Sequence, residues 1–288
     1  MAFQFLPFFS ELTGWVYFVC WSLSFYPQPW LSYTRGTTSG TTIDFPFLNN
    51  IGFTAYLVSN LLFYYSPLIR AQYAARNHGL PPTVQFNDVA FAAHAWLLCV
   101  LITSQYIPGL WPKFPRTLSG RKPSRVILGV SLGCFVGVGA IILLVLSSPH
   151  RNSTGPEATH SWVWLDVVYA VSYVKLIVTL IKYAPQAIEN YRNKSTEGWS
   201  IYGFWCDFGG GVLSIAQLVI DCIIQGDWSG LTGNSVKLLL GNVSIVYDII
   251  FFAQHYWLYW GAEKRKEEEG EALLRDGRGD EERGRGRN

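Results

Sequence analysis

The chain has 288 residues, 50% hydrophobic and 16% aromatic but only 15% charged, against about 25% charged in an ordinary globular domain. Residues 261–288 hold 17 of the 42 formal charges, so the first 260 residues carry only 25. That excludes a soluble enzyme with a charged tail and points to an all-α membrane protein crossing the lipid bilayer several times. With 14 basic and 11 acidic residues, the body makes no field that would bind nucleic acid.

Seven stretches have the length and apolar character of a transmembrane helix: 12–33, 45–66, 87–107, 126–147, 162–191, 200–222 and 236–260. Met1 to Leu12 has no basic n-region and no small-residue cleavage site follows, so the first span is predicted to be retained. The fourth span carries Gly129, Gly133 and Gly137 at a spacing that predicts close helix packing. The fifth contains Pro185 and is predicted to be a kinked span with a helical extension. Cys20, Cys99, Cys134, Cys206 and Cys222 lie in apolar stretches without metal-ligand spacing, and read as small buried hydrophobes.

Lysine and arginine in the short loops set the orientation. Arg35, the run from Lys113 to Arg125, Arg192, Lys194 and Lys264 to Lys266 give eleven on one side. Arg70, Arg76, Arg151 and Lys237 give four on the other. The C-terminus is therefore predicted cytosolic and the N-terminus not. The sequon at Asn152 falls on the non-cytosolic side, where glycosylation is available, and the one at Asn193 on the silent side.

A shift of 158 residues aligns Pro27-Gln28 with Pro185-Gln186, Gly40 with Gly198, Asn49 with Asp207 and Gly52 with Gly210. With a two-residue adjustment Asp88 meets Asp248. The predicted architecture is two parallel three-helix repeats joined by a linker helix. The segments are a short N-terminus 1–11, a first repeat 12–107, a linker 108–161, a second repeat 162–260 and a disordered charged tail 261–288. Proline-interrupted spans in corresponding positions of two halves mark the hinges and site of a transporter, which makes Pro27, Gln28, Pro185 and Gln186 the hinge candidates.

Charges inside hydrocarbon are costly and face a cavity or a partner. Lys175 and Lys182 are seven residues apart, on one helix face, with Asn190 further along it. Asp207, beside Gly209, Gly210 and Gly211, and Asp248 lie inside spans, and Asp88 opens one. Low dielectric favours a neutral carboxyl, so such an aspartate can load and release a proton. Ammonium groups, an amide and carboxylates together suit a zwitterionic solute. His94 and His255 read as satisfied interior histidines, and Asp221 and Asp227 as structural carboxylates at a span edge or loop. No GxSxG, HExxH, P-loop or GxGxxG is present, so no enzyme, cofactor or metal site is predicted.

Tyr26-Pro27-Gln28 and Ala184-Pro185-Gln186 resemble the duplicated motif of the PQ-loop transporters. Lys182 to Gly211, Ser244 to Tyr259, Gly14 to Gln28 and Asn87-Asp88-Val89 are similar to segments of the cystinosin family, so the likeness covers Leu12 to Tyr259. It implies a proton-coupled exporter moving L-cystine from the acidic lumen of a lysosome or vacuole to the cytosol, with the N-terminus luminal. It implies Asp207 as the proton-coupling residue, with Asp88 and Asp248 as further candidates. It also implies Phe25, Asn49, Lys175, Lys182, Asn190, Asp207 and Lys237 at or near the substrate cavity. The departures are a short N-terminal segment, Gly203 in place of an asparagine, and a missing tyrosine sorting signal. In that signal's place Glu269, Leu273 and Leu274 read as an acidic dileucine motif for adaptor proteins. The rivals are a PQ-loop carrier of another solute and a membrane receptor or scaffold reporting luminal amino-acid status.

Overall fold

The computed structural model describes residues 5–36, 38, 43–114, 122–194, 196, 201–233 and 235–260. The tail with Glu269, Leu273 and Leu274, and the side chains of Gln28, Pro185 and Gln186, lie outside the described residues. The described residues form ten α-helices in order: α1 Leu6–Phe25, α2 Pro27–Arg35, α3 Asp44–Tyr65, α4 Pro67–Arg76, α5 Phe86–Ser104, α6 Arg125–Ser147, α7 Trp164–Asn193, α8 Ile201–Gln225, α9 Ser229–Gly233 and α10 Ser235–Phe252. A π-helical stretch, Ala253–Leu258, extends α10.

Among the described residues, five segments are long and apolar enough to cross a membrane: Phe86–Ser104, Arg125–Ser147, Pro156–Tyr183, Ile201–Gln225 and Val236–Leu258. Helices α1 and α3, of 20 and 22 residues, are long enough but less apolar. They spend their sequence on Tyr17, Trp21, Asn49, Asn50, Tyr56 and Asn60, side chains whose rings and amides are used in the interior. The first helix starts at Leu6, six residues ahead of the predicted span, with Pro7 in its opening turn where a missing N–H costs nothing.

The two proline motifs behave differently. The chain bends at Tyr26, and α2 begins at Pro27. Helix α7 instead continues through residue 185 to Asn193, the helical extension expected beyond this span. It is packed by α3, α6 and α10, and Tyr247 Oη donates to the Leu180 carbonyl at 2.9 Å. That bond falls one residue before the carbonyl that a proline at 185 leaves without its helical donor.

The 158-residue shift carries α1 onto α7 and α3 onto α8, and the packing respects it. Helix α1 packs on α8, and α3 packs on α7. A Cβ built on Gly210 would stand 2.4 Å from the Trp21 ring, and one on Gly52 would stand 2.9 Å from Val178. Equivalent glycines thus receive a bulky side chain from the other repeat. Gly210→Ala is expected to cost about 1–3 kcal/mol by overpacking this crossing, read as a lower melting temperature of the purified protein, whereas Gly133→Ala leaves it unchanged. The contrast arises because nothing lies within 4 Å of a Cβ built on Gly129, Gly133 or Gly137. The close packing predicted for that stripe is corrected: α6 meets mainly α7, along another face.

The third helices do not follow the adjusted alignment. Asp88 is the third residue of α5, but Asp248 lies deep in α10, which begins at Ser235. By position along the helix, the counterpart of Asp88 is Lys237, the third residue of α10.

Candidate functional site

Helix α7 delivers Lys175, Lys182 and Tyr183 to one interior face. Lys175 is 5% exposed, and its Nζ sits 3.5 Å above the Phe53 ring in a cation–π contact. Lys182 Nζ lies 4.4 Å from the Tyr183 ring and 5.7 Å from that of Phe45. Helix α8 brings Asp207, whose Oδ2 accepts from Tyr183 Oη at 2.8 Å and Ser244 Oγ at 3.4 Å. Trp21 Nε1, beside Gly210, donates to the Asp207 carbonyl at 3.0 Å. Asp248 is fully buried, and neither carboxylate oxygen has a donor among the described residues. Its charged neighbours are Asp207 and Lys182. Asn49 Oδ1 is likewise buried without a donor among the described residues, one helical turn before Phe53. Phe25 meets the same Phe53 edge to face at 5.4 Å. The chemistry assembled here is two cationic side chains, two carboxyls and an unsatisfied amide oxygen, all lined by aromatic rings.

A second polar cluster lies toward the opposite ends of these helices. Lys237 Nζ is 2.8 Å from Asp88, and both side chains are buried. Asp88 also accepts from Tyr17 Oη and from the Gln85 backbone N–H at 2.8 Å, which caps α5. Lys237 donates to Gln217 Oε1 at 2.8 Å. Gln217, itself fully buried, donates to the Ser10 carbonyl, Gln85 Oε1 and Asn87 Oδ1 at 3.0–3.2 Å. Gln85 passes the chain on to Asp221, and Ser10 Oγ reaches the same carboxylate at 2.5 Å. Between the two clusters stands an aromatic wall of Tyr17, Trp21, Phe53, Tyr56 and Phe91.

The structure therefore divides the predicted site. Phe25, Asn49, Lys175, Lys182, Asp207 and Asp248 share the first cluster, whereas Asp88 and Lys237 pair with each other in the second. Asn190 donates to Gln254 at 3.0 Å, and Gln254 donates to the Ala187 carbonyl, tying α7 to the π-helical stretch. Both ring nitrogens of His94 are engaged, by Ser22 and Tyr26, and His255 bonds Thr196. All five cysteines are free thiols. No group of metal ligands occurs among the described residues. Sequence reasoning passed over Ser10, Gln85 and Gln217. The available signal was an uncharged amide, Gln217, in the middle of an apolar stretch.

Outside the spans, Asn152 is exposed, and its Oδ1 accepts from Trp164 Nε1 at 3.1 Å. Asp227, after α8, accepts from the Ser229 backbone N–H at 2.6 Å and meets His78 Nδ1 at 2.8 Å. Those bonds, the Ser229 N–H first, hold its carboxyl down at about 2 against an ordinary 3.8. A depressed carboxyl stabilises the fold above its unfolded value and loses that contribution as pH falls through the folded one. The melting-temperature gap between wild type and Asp227→Asn is thus expected to be full at neutral pH and to close between pH 3.8 and about 2.

A family model described as the PQ loop repeat matches residues 9–69 and 167–225. A cystinosin homolog of Caenorhabditis elegans is 39% identical over 260 residues, 90% of this chain and 60% of that protein. The chain thus spans about three-fifths of that relative's length. A cystinosin homolog of Dictyostelium discoideum is 38% identical over 254 residues, covering 88% of this chain and 82% of the relative. A more distant relative, the cystine transporter of Saccharomyces cerevisiae, is 26% identical over 251 residues, 86% of this chain and 93% of that protein. Identity at this level across both repeats, with the paired PQ motifs and the buried lysine–aspartate cluster, leads to one conclusion: the chain belongs to the cystinosin family of PQ-loop repeat proteins.

Proposed function

We propose that the chain is a proton-coupled transporter that exports L-cystine from the acidic lumen of a lysosome or vacuole to the cytosol. In this reading seven helices span the bilayer, α1, α3, α5, α6, α7, α8 and α10. The N-terminus is luminal and the C-terminus cytosolic, and two parallel three-helix repeats are joined by α6. The exchange of α1–α8 and α7–α3 contacts under the 158-residue shift supports the repeat. The yeast relative, a cystine transporter, supports the substrate.

One observation carries the reading: Lys175, Lys182, Asp207 and Asp248 are gathered in one interior cluster where the two repeats cross. Cystine is a zwitterion with two carboxylates and two ammonium groups. The lysines and Asn49 bind carboxylates, and Asp207 alternates between an ammonium partner and a proton. Loading Asp207 with a proton on the acidic side and releasing it on the neutral side makes cystine movement follow the proton gradient. Hinge movement about Pro27 and Pro185 exchanges access between the two sides. Asn152 faces the lumen and is open to glycosylation, and the tail beyond residue 260 offers its dileucine motif to adaptors.

Competition identifies the cargo. In vesicles with the luminal face exposed, excess unlabelled cystine is expected to suppress labelled cystine uptake, and lysine, arginine and glucose to leave it unchanged. Suppression by lysine or arginine would point to a cationic amino-acid carrier, and suppression by glucose to a sugar carrier. Saturable binding without flux would point to a receptor.

A further inference from the structure

The second polar cluster has an arrangement that binding and proton coupling in the first do not use. It joins four helices from both repeats: Ser10 and Tyr17 on α1, Asn87 and Asp88 on α5 with Gln85 just before it, Gln217 and Asp221 on α8, and Lys237 on α10. Every link is a buried or half-buried hydrogen bond, worth most where water is excluded. The charges do not balance. Asp88 and Asp221 are two carboxyls facing one cation, Lys237. Lys237 touches Asp88 directly and reaches Asp221 only through Gln217 and Gln85.

Asp221 is 6% exposed and, among the described residues, held by neutral donors alone, with Ser10 Oγ at 2.5 Å and Gln85 Nε2 at 2.8 and 2.9 Å. The other titratable groups around it are Tyr17 from α1, Asp88 from α5, Lys237 from α10 and the neighbouring Cys222 of α8. Asp227 follows α8 but is turned to His78. Next to the cluster lies a narrow recess lined by Tyr56, Asn60, Phe63, Tyr169, Ser172 and Lys237. It has room for about one water molecule, far less than a cystine.

We propose that this network is the gate at the luminal end of the pathway, and that Asp221 is its titratable latch. Ionised, Asp221 accepts the Ser10 hydroxyl and the Gln85 amide and so clamps the start of α1 and the entry to α5 against α8. Protonated, it accepts weakly, the clamp loosens, and α1 parts from α8 on that side. An acidic lumen thereby opens the gate to its own solute. Which side the gate faces rests on the transport reading, but the coupling of the clamp to Asp221 does not.

Amide hydrogen exchange by mass spectrometry, on the full chain in lipid nanodiscs without substrate, tests the latch. After correction for intrinsic rates, exchange over residues 6–14 and 84–90 of the wild type is expected to rise about tenfold on going from about pH 8 to about pH 5. Asp221→Asn is expected to exchange fast at both pH values, with the rise gone. Ser10→Ala is expected to exchange several-fold faster than wild type at neutral pH and to keep a rise on acidification. It also serves as the probe if Asp221→Asn fails to fold. A wild type with no rise, a full rise retained in Asp221→Asn, or Ser10→Ala indistinguishable from wild type would each overturn the latch. Because no cystine is present, a failure here is separable from a failure of the transport reading. In a flux assay, Asp221→Asn is expected to flatten the pH dependence of the initial rate while keeping the cystine accumulation reached under a given pH gradient. A lowered accumulation would instead place Asp221 in the coupled proton route.

Discussion

Asp207→Asn is expected to reduce pH-gradient-driven cystine flux to the level of uncoupled leak while the protein stays folded. The substitution keeps the shape of the side chain. Tyr183 and Ser244 can still donate to the remaining carbonyl oxygen, and Trp21 still reaches the backbone carbonyl of residue 207. What disappears is a group that can gain and lose a proton beside Lys182 and Asp248. Among the described residues Asp207 makes no direct ion pair, so the fold should be kept, and the loss should appear in the driving term. Cystine would equilibrate slowly and never accumulate against its own gradient. The measurement is steady-state accumulation in proteoliposomes with a pH difference, alongside a melting curve of the same preparation. Normal accumulation by Asp207→Asn would remove this residue from the coupling step.

Lys237→Met carries the largest expected effect on stability. Its ammonium is the one direct ion-pair partner of Asp88 among the described residues and also holds Gln217 Oε1. Removing it leaves a buried carboxylate facing two neutral donors, the Tyr17 hydroxyl and the Gln85 backbone N–H. Breaking one side of a buried pair costs about 3–5 kcal/mol, whereas replacing both sides together costs far less. Lys237→Met should lower the melting temperature sharply, and adding Asp88→Asn should recover part of the loss. The non-additivity in that double-mutant cycle is the signature of a direct pair. Simple addition of the two single effects would show that Lys237 acts mainly through the recess it lines.

The residues readable from sequence were those whose chemistry is conspicuous in lipid. Lys175, Lys182, Asp207 and Asp248 stand out because charge in hydrocarbon is costly, and the 158-residue shift paired Gly52 with Gly210, the two glycines that the structure places at the crossings between repeats. Three things were hidden for physical reasons. The Asp88–Lys237 pair joins residues 149 apart that occupy like positions in two helices, and the sequence alignment placed Asp88 against Asp248 because α10 begins far upstream of that match. Gln217, Gln85 and Ser10 carry no charge, and of the three Gln217 alone left a signal, an amide in the middle of an apolar stretch. The glycine stripe of α6 has the spacing of a packing motif, but spacing cannot say which face of a helix meets a neighbour.

The decisive experiment is cystine flux into proteoliposomes holding the wild-type chain alone, with and without a pH difference across the membrane. With the luminal face at acidic pH, cystine should move to the neutral side and exceed its starting concentration there, and a protonophore should abolish the excess. Flux that is equally fast with and without the gradient, or that never passes equilibrium, would contradict proton-coupled export.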